Sequence, residues 1–231
     1  MGPQPTLSGQ SPNNQASVNV TIDFGDSNRA ILDSEIGNAA KVEITGGTAG
    51  AKVSQNFPVD TIWLVTINRT NGISNVTVIV KPNWYQDAAL NYNNGISSTF
   101  VYDAVGPSPS ITGPASNNQA SVDVTIDFGD SNRAILDSEI GNAAKVEITG
   151  GTAGAKVSQN APADTVWLVT INRSGGNSDI TIEVKPGWYQ DAAGNWNLVS
   201  TIFSSVFGIP TGIESSPPRI ISVRKNIHLK G

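Results

Sequence analysis

The chain has 231 residues, with 14 lysine and arginine residues against 19 aspartate and glutamate residues, a net charge of −5 and no cysteine. The acidic balance excludes broad nucleic-acid binding, which needs a basic patch, and the lack of cysteine excludes disulfides and thiolate zinc sites. No stretch approaches the roughly 18 apolar residues of a membrane-spanning helix, so we expect no membrane span in this segment.

The most informative feature is an internal duplication. Residues Asn13–Asn56 recur as Asn117–Asn160 with one difference, Asn19 against Asp123, at an offset of 104 residues. A period of this length is too long for a solenoid repeat and suits an independent domain. We therefore predict three parts: copy 1 at residues 4–106, copy 2 at residues 107–209 and a non-repeat basic tail at residues 210–231.

Within each copy, apolar and polar residues alternate with the period of a half-buried strand. In copy 1 the alternating runs are Ser17–Phe24, Lys41–Thr45, Ile62–Ile67 and Val76–Val80. Ile31–Ala40 has roughly helical spacing, but Gly37 favours a single turn. Six or seven short strands predict an all-β, antiparallel sandwich in each copy. The residues expected to face inward from the first strand are Val18, Val20, Ile22 and Phe24, with Val122, Val124, Ile126 and Phe128 in copy 2.

The linker between the copies is short and contains two prolines. It runs from Tyr102 to Pro109, and Pro107 and Pro109 stiffen it. We expect two such domains to form a semi-rigid rod.

The tail differs in composition from the repeats. It carries four of the 14 basic residues and the single histidine, His228. Ile221 and Val223, then Ile227 and Leu229, form two short alternating runs, which would suit pairing with a free sheet edge of another molecule. The alternatives are a disordered basic extension and the first strand of a further domain.

Several motifs together resemble one known family. They are Phe24-Gly25-Asp26, Val42–Thr48, a Trp-bearing strand, the Tyr-Asp-x-x-x-Pro linker and Lys185–Asn197, with its Asp-Ala-Ala-Gly-Asn-x-Asn turn. This pattern resembles the bacterial Ig-like domains strung in tandem in large secreted and cell-surface adhesins. The resemblance implies tandem immunoglobulin-like sandwiches, an extracellular location on a bacterial surface and a stalk or adhesive role. It fixes no ligand, and copy 1 departs from the pattern at Leu90, which replaces the turn glycine.

Catalysis finds little support in the sequence. The only histidine lies in the tail, outside both copies, and no cysteine is present. We therefore expect no enzymatic activity.

The carboxylates of the turns have two interpretations. Asp and Asn in β-turns commonly accept hydrogen bonds from nearby backbone N–H groups. The other interpretation is a calcium site between the copies, because carboxylate and amide oxygens suit that cation and the resemblance makes junction calcium plausible. Alignment of Pro107 with Pro210 puts Val206 at the position of Asp103, so the exit of copy 2 lacks this acid. The predicted calcium ligands are Asp103, Asp130, Asn132, Asp191 and Asn195.

The aromatic residues also have two interpretations. Trp84-Tyr85, Trp188-Tyr189 and Trp196 lie near a turn, where exposed rings could stack on sugars. Adjacent strand residues face opposite ways, and core packing is the favoured interpretation for these aromatics and for Trp63 and Trp167.

The sequence is compatible with three functions. The first is a spacer or stalk module of a long repetitive surface protein, of which this chain would be an excerpt, with an extracellular protein or glycan as partner. The second is a filament subunit that self-associates through the tail. The third is a carbohydrate-binding accessory module of a secreted enzyme. No cofactor other than calcium is expected.

Overall fold

The computed structural model describes residues 1–208; the predicted tail, including His228, lies outside the described residues. Within this range copy 1 forms seven strands, as predicted. They are β1 (Thr6–Gly9), β2 (Ser17–Asp23), β3 (Val42–Thr45), β4 (Gly47–Ser54), β5 (Ile62–Arg69), β6 (Val76–Val80) and β7 (Ile96–Phe100).

Copy 2 repeats these seven strands and adds a short one. Its strands are β8 (Ser110–Thr112), β9 (Ser116–Asn117), β10 (Ser121–Asp127), β11 (Val146–Thr149), β12 (Gly151–Ser158), β13 (Val166–Arg173), β14 (Ile180–Val184) and β15 (Thr201–Phe207). The extra strand, β9, pairs in parallel with β15. In copy 1 the same contact is a single bridge between Asn13 and Tyr102.

The strand order identifies the fold. In copy 1 one sheet has the order β1-β2-β5-β4 and the other the order β3-β6-β7, with antiparallel neighbours. Lettered A to G along the chain, these are the ABED and CFG sheets of a constant-type immunoglobulin domain. Copy 2 has the same order. The predicted fold class is confirmed: the chain is all-β, with two tandem immunoglobulin-like antiparallel β-sandwiches joined by a short proline-containing linker.

Each sandwich has its own hydrophobic core. The predicted inward residues of β2 and β10 are all at most 2% exposed, so the predicted register is confirmed. Phe24 packs edge-on against Trp84 and Tyr85, with ring centroids 5.8 and 5.7 Å apart. Tyr85 also donates a hydrogen bond to the carbonyl oxygen of Phe24 at 3.0 Å, so these aromatic residues join the two sheets.

The helical candidate in Ile31–Ala40 is a single 3-10 turn, Asp33–Glu35, as predicted. The buried carboxylate of Glu35 accepts two hydrogen bonds from Arg29 at 2.9 Å and one from Lys41 at 2.6 Å. Both cations also lie over the ring of Trp84, within 5.3 and 5.6 Å of its centroid. Burial by itself raises the pKa of Glu35, but the hydrogen bonds from Arg29, Lys41 and the Leu32 N–H outweigh it and lower the pKa to about 2.

Equivalent residues in the last strands of the two copies, β7 and β15, are 105 positions apart and not 104. Arg69 donates to the carbonyl oxygen of Phe100, whereas Arg173 donates to that of Ser205, which shifts the offset to 105. The exit of copy 2 therefore places Gly208, and not Val206, at the position of Asp103. The alignment predicted from the prolines assumes an offset of 103 residues and is wrong, because one residue is inserted between Asn197 and Ser205 and strand pairing sets the offset at 105.

Replacing Phe24 with alanine should destabilise copy 1 by about 3–5 kcal/mol, because the side chain is fully buried and its loss leaves a cavity. Urea denaturation should resolve this loss. Phe128→Ala should destabilise copy 2 by a similar amount. A denaturation profile close to that of the wild type would contradict the observed register.

Glu35 should make copy 1 sensitive to acid. Its pKa is lowered from 4.5 to about 2 on folding, so its contribution to stability is fully present above about pH 4.5 and is lost as the pH falls towards 2. Glu35→Gln should weaken copy 1 at neutral pH and flatten this part of its pH dependence. Denaturation midpoints measured between pH 7 and pH 2 test this, with Glu139→Gln as the equivalent change in copy 2. An unchanged slope for both variants would contradict the ion cluster.

Candidate functional site

The candidate functional site is the junction between the copies. It starts at the exit end of copy 1, which we define as the end where β7 leaves the sandwich. There the guanidinium group of Arg69 is buried and donates to the carbonyl oxygens of Gln15, Ser74, Phe100 and Val101. Gln15 lies just before β2, Ser74 just before β6, and Phe100 and Val101 at the end of β7. The acceptors therefore adjoin both sheets, and the arginine fixes where the chain leaves the sandwich.

The linker continues along the surface of copy 2. Pro107 and Pro109 are buried, and Gly106 passes so close to the loop before β15 that an added Cβ would lie 2.1 Å from the carbonyl oxygen of Trp196. Only glycine fits at this contact. The linker is therefore packed against copy 2, in agreement with the predicted stiffness.

Asn195 links copy 2 to copy 1. Its side-chain nitrogen donates to the carboxylate of Asp191 at 2.9 Å and to the carbonyl oxygen of Asp103, in the linker, at 3.0 Å. Its side-chain oxygen accepts a hydrogen bond from the Asn14 amide of copy 1 at 3.0 Å. One amide group thus joins the turn that carries it, the linker and the preceding sandwich.

The corresponding turn of copy 1 shows what the junction adds. Asn91 bonds only to its own turn, donating to the Asp87 carboxylate from its backbone and side-chain nitrogens at 2.9 Å. These hydrogen bonds lower the pKa of Asp87. Ala89 is exposed in copy 1, whereas its equivalent, Ala193, is 2% exposed in copy 2. The turn is the same in both copies, and only in copy 2 is it covered.

Leu90 in copy 1 and Gly194 in copy 2 are equivalent residues. Both have a left-handed backbone conformation, with φ of 67° and 88°. The turn is therefore retained in copy 1, although leucine has an unfavourable conformation there. At Gly194 an added Cβ would lie 3.9 Å from the Asn14 side chain. That distance is an ordinary van der Waals contact, so the backbone conformation, and not lack of space, favours glycine beside Asn14.

The structure brings the predicted calcium residues into three neighbouring segments. Ser131 forms a β-bridge with Asp191, which places the turn holding Asp130 and Asn132 beside the turn of Asp191. Asn195 connects the latter to the backbone of Asp103. The carboxylate of Asp103 accepts a hydrogen bond from the N–H of Val105 at 2.9 Å.

The hydrogen bonds agree with turn capping at these carboxylates. Both oxygens of Asp191 accept hydrogen bonds from Asn195, and Asp130 and Asn132 are exposed. Among residues 1–208 no group of three or more His, Cys, Asp or Glu residues is arranged to hold a metal ion. Calcium at the junction remains a prediction, and any such site would have to draw on amide and carbonyl oxygens.

Most of the aromatic residues pack in the cores. Trp63, Trp167, Tyr85 and Tyr189 are buried, and Trp84 and Trp188 pack against the two cores. Trp196 differs, with 47% of its surface exposed beside the junction.

Comparisons with known proteins identify no family. No family model matches the chain, and no curated protein matches it. Among solved structures, it is similar to an I-band fragment of titin at 10% identity and a TM-score of 0.30, covering 89% of this chain and 65% of the fragment. It is also similar to the Yersinia pseudotuberculosis adhesin InvE at 14% identity and a TM-score of 0.26, covering 87% of this chain and 58% of the adhesin. The fold assignment therefore depends on the strand order given above.

The sequence predicts no membrane-spanning helix in this segment. No helix among residues 1–208 has both the length and the hydropathy needed to cross a bilayer.

Two functional residues of the junction were not predicted from the sequence. Arg69 ends β5, and the sequence pattern of that strand gives no sign that the arginine is buried, although its recurrence as Arg173 was visible. Asn14 belongs to an Asn-rich turn whose partner lies 181 residues away, so no local pattern identifies it.

Asn195→Ala should loosen the angle between the copies, because it removes the hydrogen bonds to Asn14 and the linker. Asn91→Ala is the matched control, since it removes the same turn bonds in copy 1 without an inter-copy contact. Small-angle scattering should show a broader distribution of interatomic distances for Asn195→Ala and no such change for Asn91→Ala. Equal changes in both variants would contradict the role of Asn195 at the junction.

Proposed function

We propose that the chain is a non-enzymatic spacer: two immunoglobulin-like modules of a long repetitive bacterial surface protein, which hold a binding function away from the cell. The observation that carries this proposal is the junction, where Asn195 and Gly106 tie the exit end of one module to the next. A spacer needs a defined angle between modules, and avidity or reach can then come from repetition alone.

The near-identity of the copies supports this role. Most residues that build the core, and the Asp-x-x-x-Asn turn, recur in both sandwiches. The framework of the module is therefore repeated in series, while its ends differ at Leu90 and Gly194 and at Asp103 and Gly208. The bacterial surface location follows from the family resemblance of the sequence and is part of the proposal.

Calcium is proposed as an additional stiffening element. The segments of Asp103, Asp130 and Asp191 are neighbours, and a cation among their oxygens would oppose bending of the linker. The hydrogen bonds of Asn195 would hold the junction without it.

A filament subunit is the second candidate. The tail contains four basic residues and one acidic residue, so residues 1–209 contain ten basic and 18 acidic residues. Opposite charges on the tail and the rest of the chain favour contact between molecules.

A spacer should be an extended monomer with a fixed maximum dimension. Sedimentation and small-angle scattering should report one molecular mass at all concentrations, and chelation should change the dimension only if calcium is bound. Metal analysis of the purified protein determines independently whether calcium is bound. A compact particle in which the copies fold back on each other would contradict the spacer proposal, and concentration-dependent growth would favour the filament subunit.

A further inference from the structure

Copy 1 has an apolar groove at its loop end, which we define as the end opposite to the exit end. The groove measures about 470 Å³, and its floor is formed by Ile31 and Trp63. Trp63 is 8% exposed and donates from its ring nitrogen to the carbonyl oxygen of Asp60 at 3.1 Å. The floor is therefore rigid.

The rim of the groove is apolar and unusually exposed. Phe57 is 81% exposed, and Leu32 and Val53 also present more than half of their surface to solvent. Phe57 and Pro58 belong to the tight loop between β4 and β5, and Val59 in the same loop is exposed as well. An aromatic ring held outside the core in this way is typical of a residue that binds a partner.

The equivalent groove of copy 2 keeps the exposed Leu136 and Val157 but lacks the aromatic residue of this rim. It has about the same volume, 480 Å³, and the same floor, but Ala161 and Ala163 stand where copy 1 has Phe57 and Val59. The Asn56 hydrogen bonds that hold the loop recur at Asn160 with the same partners. The fold therefore accepts alanine in this loop, and the exposed phenylalanine is not required for it.

The groove also carries negative charge. Asp33 and Asp60 line it, and neither forms an ion pair among residues 1–208. Its one cationic side chain, Lys52, donates to the backbone carbonyl oxygen of Asp33 at 2.7 Å. A suitable occupant would be an extended segment with apolar side chains and basic neighbours.

The chain contains one such segment. Residues 219–225 read Arg-Ile-Ile-Ser-Val-Arg-Lys and combine three apolar side chains with three basic ones. The chain leaves copy 2 at its exit end, after Gly208, and the contact of Asn14 with Asn195 shows that the loop end of copy 2 faces the exit end of copy 1. The groove and Gly208, the last described residue, are therefore at opposite poles of the molecule, which favours contact between two molecules.

We infer that residues 219–225 of one molecule bind the groove formed by Ile31, Leu32, Val53, Phe57 and Trp63 in copy 1 of a second molecule. The apolar side chains contact Phe57 and the floor, and the basic side chains lie near Asp33 and Asp60. A contact between opposite poles is heterologous, so it propagates into an open chain of molecules. The inference rests on the second candidate function, the filament subunit. It assigns this groove, and not a sheet edge, as the surface to which the tail binds.

The test is sedimentation velocity of the full chain over a concentration series. Phe57→Ala with Val59→Ala installs the residues that copy 2 already has, and should weaken self-association by at least about tenfold, as loss of a central aromatic contact does. Ile73→Asn is the matched control, because it also replaces an exposed apolar residue by its copy 2 equivalent, outside the groove. It should leave the association unchanged.

Two further measurements decide the occupant. A synthetic peptide of residues 210–231 should compete with self-association of the full chain, and added salt should weaken the association, because exposed charges are screened. A chain that stays monomeric up to about 1 mM overturns the inference and leaves the spacer proposal intact. The inference is also overturned if removal of the tail abolishes self-association but the Phe57 and Val59 changes do not affect it. In that case a sheet edge would be the surface to which the tail binds.

Discussion

One buried guanidinium group closes the exit end of each sandwich. A charge that is taken out of water must be fully hydrogen-bonded, and Arg69 meets this requirement with four carbonyl oxygens from three segments and the side chain of Asn13. Those segments adjoin β2 in one sheet and β6 and β7 in the other, and β7 leads into the linker. The position of the linker, and with it the approach of the next copy, therefore depends on this arginine. Arg173 repeats the arrangement and also bonds the hydroxyl of Ser205.

The junction shows how one turn acquires a second role through its surroundings. In both copies the Asp-x-x-x-Asn turn is held by hydrogen bonds from the backbone and side-chain nitrogens of the asparagine to the aspartate carboxylate. In copy 2, Asn195 additionally bonds Asn14 and the linker, and Gly194 lies beside Asn14. In copy 1, Leu90 occupies the glycine position and remains 67% exposed. The loop ends of the two copies therefore present different surfaces on the same backbone.

The differences between the copies also explain how their cores tolerate substitution. Phe100 at the end of β7 is replaced by Ser205, while the aromatic ring moves two residues earlier on the strand, to Phe203. Both residues face inward, since they are separated by one strand period. The core keeps its aromatic volume, and the buried hydroxyl of Ser205 bonds Arg173. By contrast, the change from Phe57 to Ala161 affects only the surface.

The sequence by itself determined the duplication, the strands of alternating polarity and the inward face of β2, because these depend on periodicity along the chain. It also indicated the sandwich and the stiff linker. It did not identify β1, β4 or β7, since their polarity does not alternate clearly, and it misaligned the exit of copy 2, because strand pairing and not proline position sets that register. Only the tertiary structure decided the Asn14–Asn195 contact, the burial of Arg69 and the groove at Phe57. Each of these joins residues far apart in the chain, and their contact is decided by packing in three dimensions.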